Sequence, residues 1–102
     1  MPTFQIYGVT FHWRDDKWYA TYDRRNIEIE EAVSVFEDPY RMTDIDNRFD
    51  YDEMRMITVG LSNKSRLLTV AWVEIDEQNI KIITAFKAGH NQTEGYYAYR
   101  QI

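Results

Sequence analysis

The sequence predicts a single α+β domain in which helices pack on one face of an antiparallel β-sheet. Two observations support this fold class. Apolar residues recur with helical spacing in the first half of the chain, whereas the second half holds three strand-like segments joined by short polar turns. A length of 102 residues suits one domain, so we treat residues 1–102 as a single domain. The predicted order is a strand, two helices, a three-stranded meander and a C-terminal helix.

The first predicted elements are a strand and a short helix. Residues 4–7 and 9–13 alternate apolar with polar side chains and are rich in strand-forming residues, with a glycine between them as a turn or a bulge. Over residues 14–25 the spacing becomes helical, because Trp18 and Tyr22 lie four positions apart. With Lys17 and Thr21 flanking these two rings, the segment fits a short amphipathic helix.

The second helix has the clearest signal. An apolar stripe with the spacing i, i+3, i+4, i+7 is formed by Ile29, Ala32, Val33 and Phe36. This helix must end by Asp38, because a proline follows and disfavours helical geometry at the residue before it. Residues 40–51 are polar and acidic, which predicts a long loop with room for one short strand.

Three further strands are predicted over residues 55–59, 66–73 and 80–86. The links between them are short and polar, so neighbouring strands should run antiparallel as a meander. The tail from His90 onward is predicted to form a last helix, although Gly95 is a poor helix former.

Composition excludes several classes of protein. The chain has no cysteine, which excludes disulfides and cysteine-based zinc sites. Its formal net charge of −5 argues against non-specific nucleic-acid binding, since cations must neutralise the phosphates. No apolar run approaches the roughly 20 residues that span a bilayer, and no secretory signal pattern opens the chain. We therefore expect a cytoplasmic protein without a membrane segment.

The acidic side chains are concentrated in the middle of the chain. They are Glu28, Glu30, Glu31, Glu37, Asp38, Asp44, Asp46, Asp50, Asp52 and Glu53. Such a block is typical of a solvated helix face and loop. The alternative is a docking surface for a basic partner, and composition leaves both interpretations open.

Local motifs for common chemistries are absent from the sequence. There is no Gly-rich phosphate loop, no HExxH pattern and no GxSxG elbow, and the acidic loop lacks the glycine and the final glutamate of a calcium loop. The sequence therefore predicts neither a metal site nor a cofactor.

A dispersed set of reactive side chains stands at the ends of the predicted strands and in the tail. Its members are Glu53, Arg55, Arg66, Lys87 and Tyr96. A metal-free ribonuclease needs a general base for the 2′-hydroxyl, cations for the phosphate and a general acid for the leaving oxygen. These residue types can supply those roles. The alternative is a set of surface ion pairs that contribute little to stability.

Several segments together resemble the BrnT family of toxins. The resemblance begins at Phe11-His12-Trp13 and continues through residues 29–39, IEEAVSVFEDP, which are similar to the family's F-E-E-A-x-x-V-F-x-D-P pattern. In the second half, three segments resemble the family's E-x-R-x-I-x-I-G, R-L-L-x-V and I-R-I-I-S-A-R-x-A strands: residues 53–60, EMRMITVG; residues 66–70, RLLTV; and residues 80–88, IKIITAFKA. The similarity covers about residues 11–97 in order.

The resemblance implies a RelE-like α+β fold and a small toxin that cleaves RNA. It also implies a partner, a ribbon-helix-helix antitoxin of the BrnA type, and a bacterial source. Carried over by position, Arg55, Arg66 and Lys87 would hold phosphate. Glu53 would be the base, and Tyr96 the acid or a stacking group. Residues 1–10 precede the family's usual start and are expected to add a strand.

The chain also departs from the family pattern at specific positions. Phe86 stands where the family prefers arginine, Trp72 replaces a frequent histidine, and residues 24–26 and 89–93 replace the K-H-G and T-R-R-E-R segments. Two hypotheses follow. The first is a metal-independent ribonuclease toxin. The alternative is a binding module on the same fold that has lost catalysis and acts as a protein partner or regulator.

Overall fold

The computed structural model describes residues 3–6, 8–46 and 53–100. Its strands are β1 (Thr3–Ile6), β2 (Val9–His12), β3 (Met42–Ile45), β4 (Arg55–Leu61), β5 (Leu67–Asp76) and β6 (Asn79–Lys87). Its helices are α1 (Asp15–Arg25), α2 (Ile29–Ser34), which continues into a 3₁₀ turn at Val35–Glu37, and α3 (His90–Arg100). None of these helices is long and apolar enough to cross a membrane.

The described strands form one six-stranded sheet in the order β1-β2-β6-β5-β4-β3. The predicted meander of β4, β5 and β6 is confirmed as antiparallel. The predicted short strand in the acidic loop is β3, which pairs antiparallel with β4. The sheet is mixed rather than antiparallel throughout, because β2 pairs parallel with β6. That pairing joins segments almost 70 residues apart, for which no local turn gives a signal.

The N-terminal segment forms the outer hairpin of the sheet. β1 pairs antiparallel with β2, from Thr3 opposite His12 to Ile6 opposite Val9. Gly8 in the connection has φ +81°, a left-handed conformation that glycine adopts without steric cost.

The hydrophobic core lies between the sheet and helices α1 and α2. The predicted stripe of α2 is confirmed, with Ala32 and Val33 fully buried. On α1 the ring of Trp18 is buried and its indole nitrogen donates to the Ile27 carbonyl at 3.2 Å. The ring of Tyr22 is exposed, because Thr21 occupies the buried position and contacts β6. Helix α1 ends at Arg25, because the backbone of the next residue, Asn26, adopts a left-handed conformation.

The acidic block is not uniformly solvated. Glu28, Glu30, Glu37 and Asp44 are exposed, in agreement with a solvated surface, whereas Glu31 and Asp46 are buried. Glu31 departs from the expectation because it packs inward from α2 against a guanidinium. Asp50 and Asp52 lie outside the described residues.

Candidate functional site

A small cleft opens where the start of α1 meets β4 and β6. Its volume is about 190 Å³, and it is lined by Arg14, Lys17, Glu53, Arg55, Lys81, Ile82 and Ile83. Four of these side chains are cations and one is a carboxylate. We call this group the cationic cleft. Its charge is opposite to the net charge of −5 of the whole chain.

The sheet register brings the cleft residues together. Arg55 on β4 and Lys81 on β6 are both direct partners of Val73 on the strand between them. Side chains that are opposite one another in a sheet lie on the same face, and two strand spacings amount to about 10 Å. Arg14, immediately before α1, and Lys17, in the first turn of α1, approach the same space.

The carboxylate of the cationic cleft is accessible. The side chain of Glu53 is 49% exposed, and its Oε1 lies 3.8 Å from the Nζ of Lys81. This is a loose ion pair that water or a substrate can enter, unlike the buried pair described below. A carboxylate flanked by cations can accept a proton from a hydroxyl while the cations bind a phosphate.

Arg66 forms a different kind of contact at the other end of the sheet. Its guanidinium forms a bidentate pair with Glu31, in which Nε donates to Oε2 at 2.8 Å and NH2 donates to Oε1. A second NH2 bond reaches the carbonyl of Asn26 at 2.8 Å. Ser62 also donates to Glu31, at 2.7 Å. Burial raises the pKa of Glu31, but Arg66 and Ser62 outweigh burial and hold that pKa below its ordinary value.

Tyr96 is fully buried and anchors α3 to the sheet. Its hydroxyl donates to Oδ2 of Asp38 at 2.6 Å, and the same oxygen accepts from the backbone amide of Leu61 at 2.8 Å. Burial, together with the hydrogen bond to Asp38, raises the pKa of Tyr96 to about 12. Burial alone would raise the pKa of Asp38. The hydrogen bonds from Tyr96 and the backbone have the opposite and larger effect, so this pKa lies below its ordinary value.

The structure divides the five residues predicted for the site into two groups. Glu53 and Arg55 lie together in the cationic cleft. Arg66, Lys87 and Tyr96 lie near the opposite end of β4. Leu61 at that end pairs with Leu67, which follows Arg66, and the adjacent Leu68 pairs with Lys87. Tyr96 donates to the same carboxylate oxygen as the Leu61 amide. The length of β4 separates the groups by roughly 20 Å. The exposed side chain of Lys87 lies at that distant end.

Arg14, Lys17 and Lys81 were not among the predicted site residues. A signal for Lys81 was present in the sequence, since an antiparallel meander places the start of the third strand beside the start of the first. Arg14 and Lys17 enter the cationic cleft through the packing of α1, which depends on tertiary structure. Among residues 3–6, 8–46 and 53–100, no group of three or more His, Cys, Asp or Glu side chains is arranged to hold a metal ion.

Replacing Tyr96 with phenylalanine should remove a loss of folding stability that the wild type shows at alkaline pH. A raised pKa stabilises the fold fully below the unfolded value of 10.0, and that stability is lost as the pH rises towards about 12. The difference between these two pKa values corresponds to a contribution of about 2–3 kcal/mol to the free energy of unfolding. Asp38 acts in the opposite sense, because its lowered pKa gives stability above pH 3.8 that is lost under more acidic conditions.

Urea denaturation at pH 8, 10 and 11.5 measures this effect. The wild type should lose stability between pH 10 and 11.5 by more than Tyr96→Phe does. Tyr99→Phe is the control, because the Tyr99 ring is on the same helix and exposed. Equal losses in all three proteins would contradict the assignment.

Comparison with known proteins agrees with the fold and with the resemblance. A family model described as the ribonuclease toxin BrnT of type II toxin–antitoxin systems matches residues 13–92. The solved structures include a similar one, the 1.1 Å crystal structure of the Brucella abortus ribonuclease toxin BrnT. The TM-score is 0.50 at 13% identity, and the match covers 78% of this chain and 96% of that chain. No curated protein matches. The extent of the family match shows that this chain belongs to the BrnT family of ribonuclease toxins of type II toxin–antitoxin systems.

Proposed function

We propose that this chain is a toxin that cleaves RNA without a metal ion, and that the cationic cleft is its active site. The observation that carries the proposal is the register of Arg55 and Lys81, which places the Cα atoms of these two cationic residues about 10 Å apart, with the carboxylate of Glu53 beside Lys81. A bound phosphate in this position would contact cations on both sides. The antitoxin that the family implies would hold the toxin inactive, and by resemblance we expect a ribbon-helix-helix protein.

The proposed reaction is an internal transesterification of RNA. Glu53 removes the proton of a 2′-hydroxyl, whose oxygen attacks the adjacent phosphorus while the bond from phosphorus to the 5′-oxygen breaks. Arg14 and Arg55 stabilise the charge that accumulates on the phosphoryl oxygens. An ammonium group of the cleft, Lys17 or Lys81, supplies the proton to the departing 5′-oxygen. The products are a 2′,3′-cyclic phosphate and a 5′-hydroxyl.

Arg66 and Tyr96 are left out of this proposed site. The guanidinium of Arg66 is occupied by a buried carboxylate, and the hydroxyl of Tyr96 is fully buried against Asp38. A substrate could reach either group only by breaking these contacts. We therefore propose structural roles for both residues, and we place Lys87 outside the site because of its distance from the cleft.

The second candidate function is a binding module without catalysis. Commitment of Arg66 to a structural ion pair and the net charge of −5 both favour it, since each reduces the positive surface available to RNA. In that case the cationic cleft would bind an acidic segment of a protein partner. The two candidates differ in whether RNA is cut.

Inducible expression of the chain in bacteria distinguishes the two functions. We expect growth arrest and degraded total RNA with the wild type, and relief of both with Arg55→Ala. Lys87→Ala is the matched control, because it removes an exposed cation from the distant end of the sheet and should remain toxic. Normal growth with intact RNA from well-expressed wild type would contradict the ribonuclease and support the binding module.

A further inference from the structure

Helices α1 and α2 enclose a second concavity that the proposed reaction does not use. This groove has a volume of about 390 Å³ and is lined by Asp15, Trp18, Tyr19, Tyr22, Glu28, Ile29 and Glu30. We call it the helical groove. Trp18 and Ile29 are buried at its floor. Asp15, Tyr19 and Tyr22 have the spacing i, i+4, i+7, which places them along one side of α1.

The rim of the helical groove carries large exposed aromatic rings. Tyr19 is 71% exposed and Tyr22 is 43% exposed. Tyrosine is enriched at protein interfaces, where its ring supplies contact area at a low cost in conformational entropy. Two such rings, one helical turn apart beside an apolar floor, are more typical of a docking surface than of a freely solvated helix.

The charged side chains that the structure describes in the helical groove are all of one sign. Among these described lining residues, Asp15, Glu28 and Glu30 are acidic and none is a cation. Carboxylates repel phosphate, so the groove does not suit RNA. They attract lysine and arginine, whose cationic groups also bind to the faces of tyrosine rings. The complementary ligand is therefore a segment that presents basic side chains.

We propose that the helical groove docks a lysine- or arginine-bearing segment of the antitoxin. The identity of the partner rests on the proposed function, whereas the basic chemistry of the segment rests on the groove itself. Contacts with the tyrosine rings and the apolar floor contribute affinity, and the three carboxylates select for positive charge.

The position of the helical groove would also let a docked antitoxin segment inhibit the cationic cleft. Arg14 and Lys17, at the start of α1, line the cleft, while Tyr19 and Tyr22 of α1 line the groove. The diameter of a helix with its side chains is about 10 Å. Roughly three or four extended residues cover that distance. An antitoxin segment seated in the groove can therefore continue across α1 and block entry of RNA to the cleft.

Calorimetric titration with a purified antitoxin of the BrnA type tests the proposal. We expect Tyr19→Ala to weaken binding by about 30-fold or more, as for a central aromatic contact. The double variant Glu28→Lys/Glu30→Lys should weaken it at least as much, and added salt should weaken binding of the wild type more than that of the double variant. Matched controls are Tyr99→Ala and Glu77→Lys, which alter exposed residues elsewhere and should bind as the wild type does.

Several outcomes would overturn the proposal. One is that the groove variants Tyr19→Ala and Glu28→Lys/Glu30→Lys, both shown to be folded by circular dichroism, bind the antitoxin with wild-type affinity. Another is a wild type that does not bind the antitoxin. A third is spermidine binding that the groove variants abolish while antitoxin binding is unchanged, because the groove would then be a site for a small polycation. The readout is binding, so loss of the ribonuclease assignment would leave this test intact.

Discussion

Arg66→Ala should lower the free energy of unfolding by about 3–5 kcal/mol. The substitution removes the guanidinium from Glu31, whose side chain is only 1% exposed, and leaves a buried carboxylate with a single side-chain donor, Ser62. The free energy of solvation that Glu31 loses on folding is then no longer offset. Glu31 would take up a proton instead, so the variant should become relatively more stable as the pH is lowered towards 5.

Arg14→Ala provides the matched control for this measurement. Arg14 also pairs with an acidic residue, Asp16, at 2.8 Å, but the two side chains are 53% and 67% exposed. Exposed pairs contribute about 0–1 kcal/mol. Urea denaturation of the two variants at pH 7 should therefore show a several-fold difference in destabilisation. Similar values would mean that the pair between Arg66 and Glu31 does not stabilise the fold.

The predicted loss of stability in Arg66→Ala bears on what a loss of toxicity in this variant would mean. A variant that loses several kcal/mol can lose most of a domain's stability, since natural domains are stable by only about 5–15 kcal/mol. Loss of toxicity in Arg66→Ala would then reflect loss of folded protein. Such a result should be read together with the amount of soluble protein before any catalytic role is assigned.

The double variant Arg55→Ala/Lys81→Ala should lower the rate of RNA cleavage by about 10³-fold or more. Removal of one group that stabilises transition-state charge typically costs about 10²–10³-fold, and the two cations flank the same proposed phosphate position. Binding should also become less dependent on salt. Loss of two phosphate contacts reduces the slope of log K against log salt by about 1.4 for single-stranded RNA.

Single-turnover cleavage and salt titration with purified protein measure both effects. Lys87→Ala is again the control and should retain the wild-type rate and salt slope. A double variant that cleaves as fast as the wild type, while Lys87→Ala is slow, would move the active site to the other end of the sheet.

Much of the fold was predictable because its signals are local. The apolar stripe of α2, the end of that helix before Pro39 and the short turns of the meander each depend on neighbouring residues. The parallel pairing of β2 with β6 does not, and it was not predicted. The helical spacing of Trp18 and Tyr22 predicted that α1 is amphipathic. That spacing does not define the rotation of α1 about its own axis, and in the structure Thr21 rather than Tyr22 is buried.

The candidate site was less predictable than the fold. Residue type, position near the start of a predicted strand and the family resemblance together grouped Arg55 with Arg66. In an antiparallel pair those two starts lie at opposite ends, so the predicted topology already separated them. The burial of Glu31 could not be inferred from an acidic block. It depends on a partner 35 residues away that reaches α2 only after the sheet has formed.

The most direct test of the central claim is cleavage of single-stranded RNA by the purified wild type in the presence of excess EDTA. The proposed mechanism uses only side chains of the cationic cleft and the 2′-hydroxyl of the substrate. It therefore predicts cleavage in EDTA, products that end in a 2′,3′-cyclic phosphate, and no cleavage where the scissile nucleotide is 2′-deoxy. An RNA that stays intact in EDTA but is cut when Mg²⁺ is restored, or a 2′-deoxy substrate that is cut at the same rate, would contradict the mechanism.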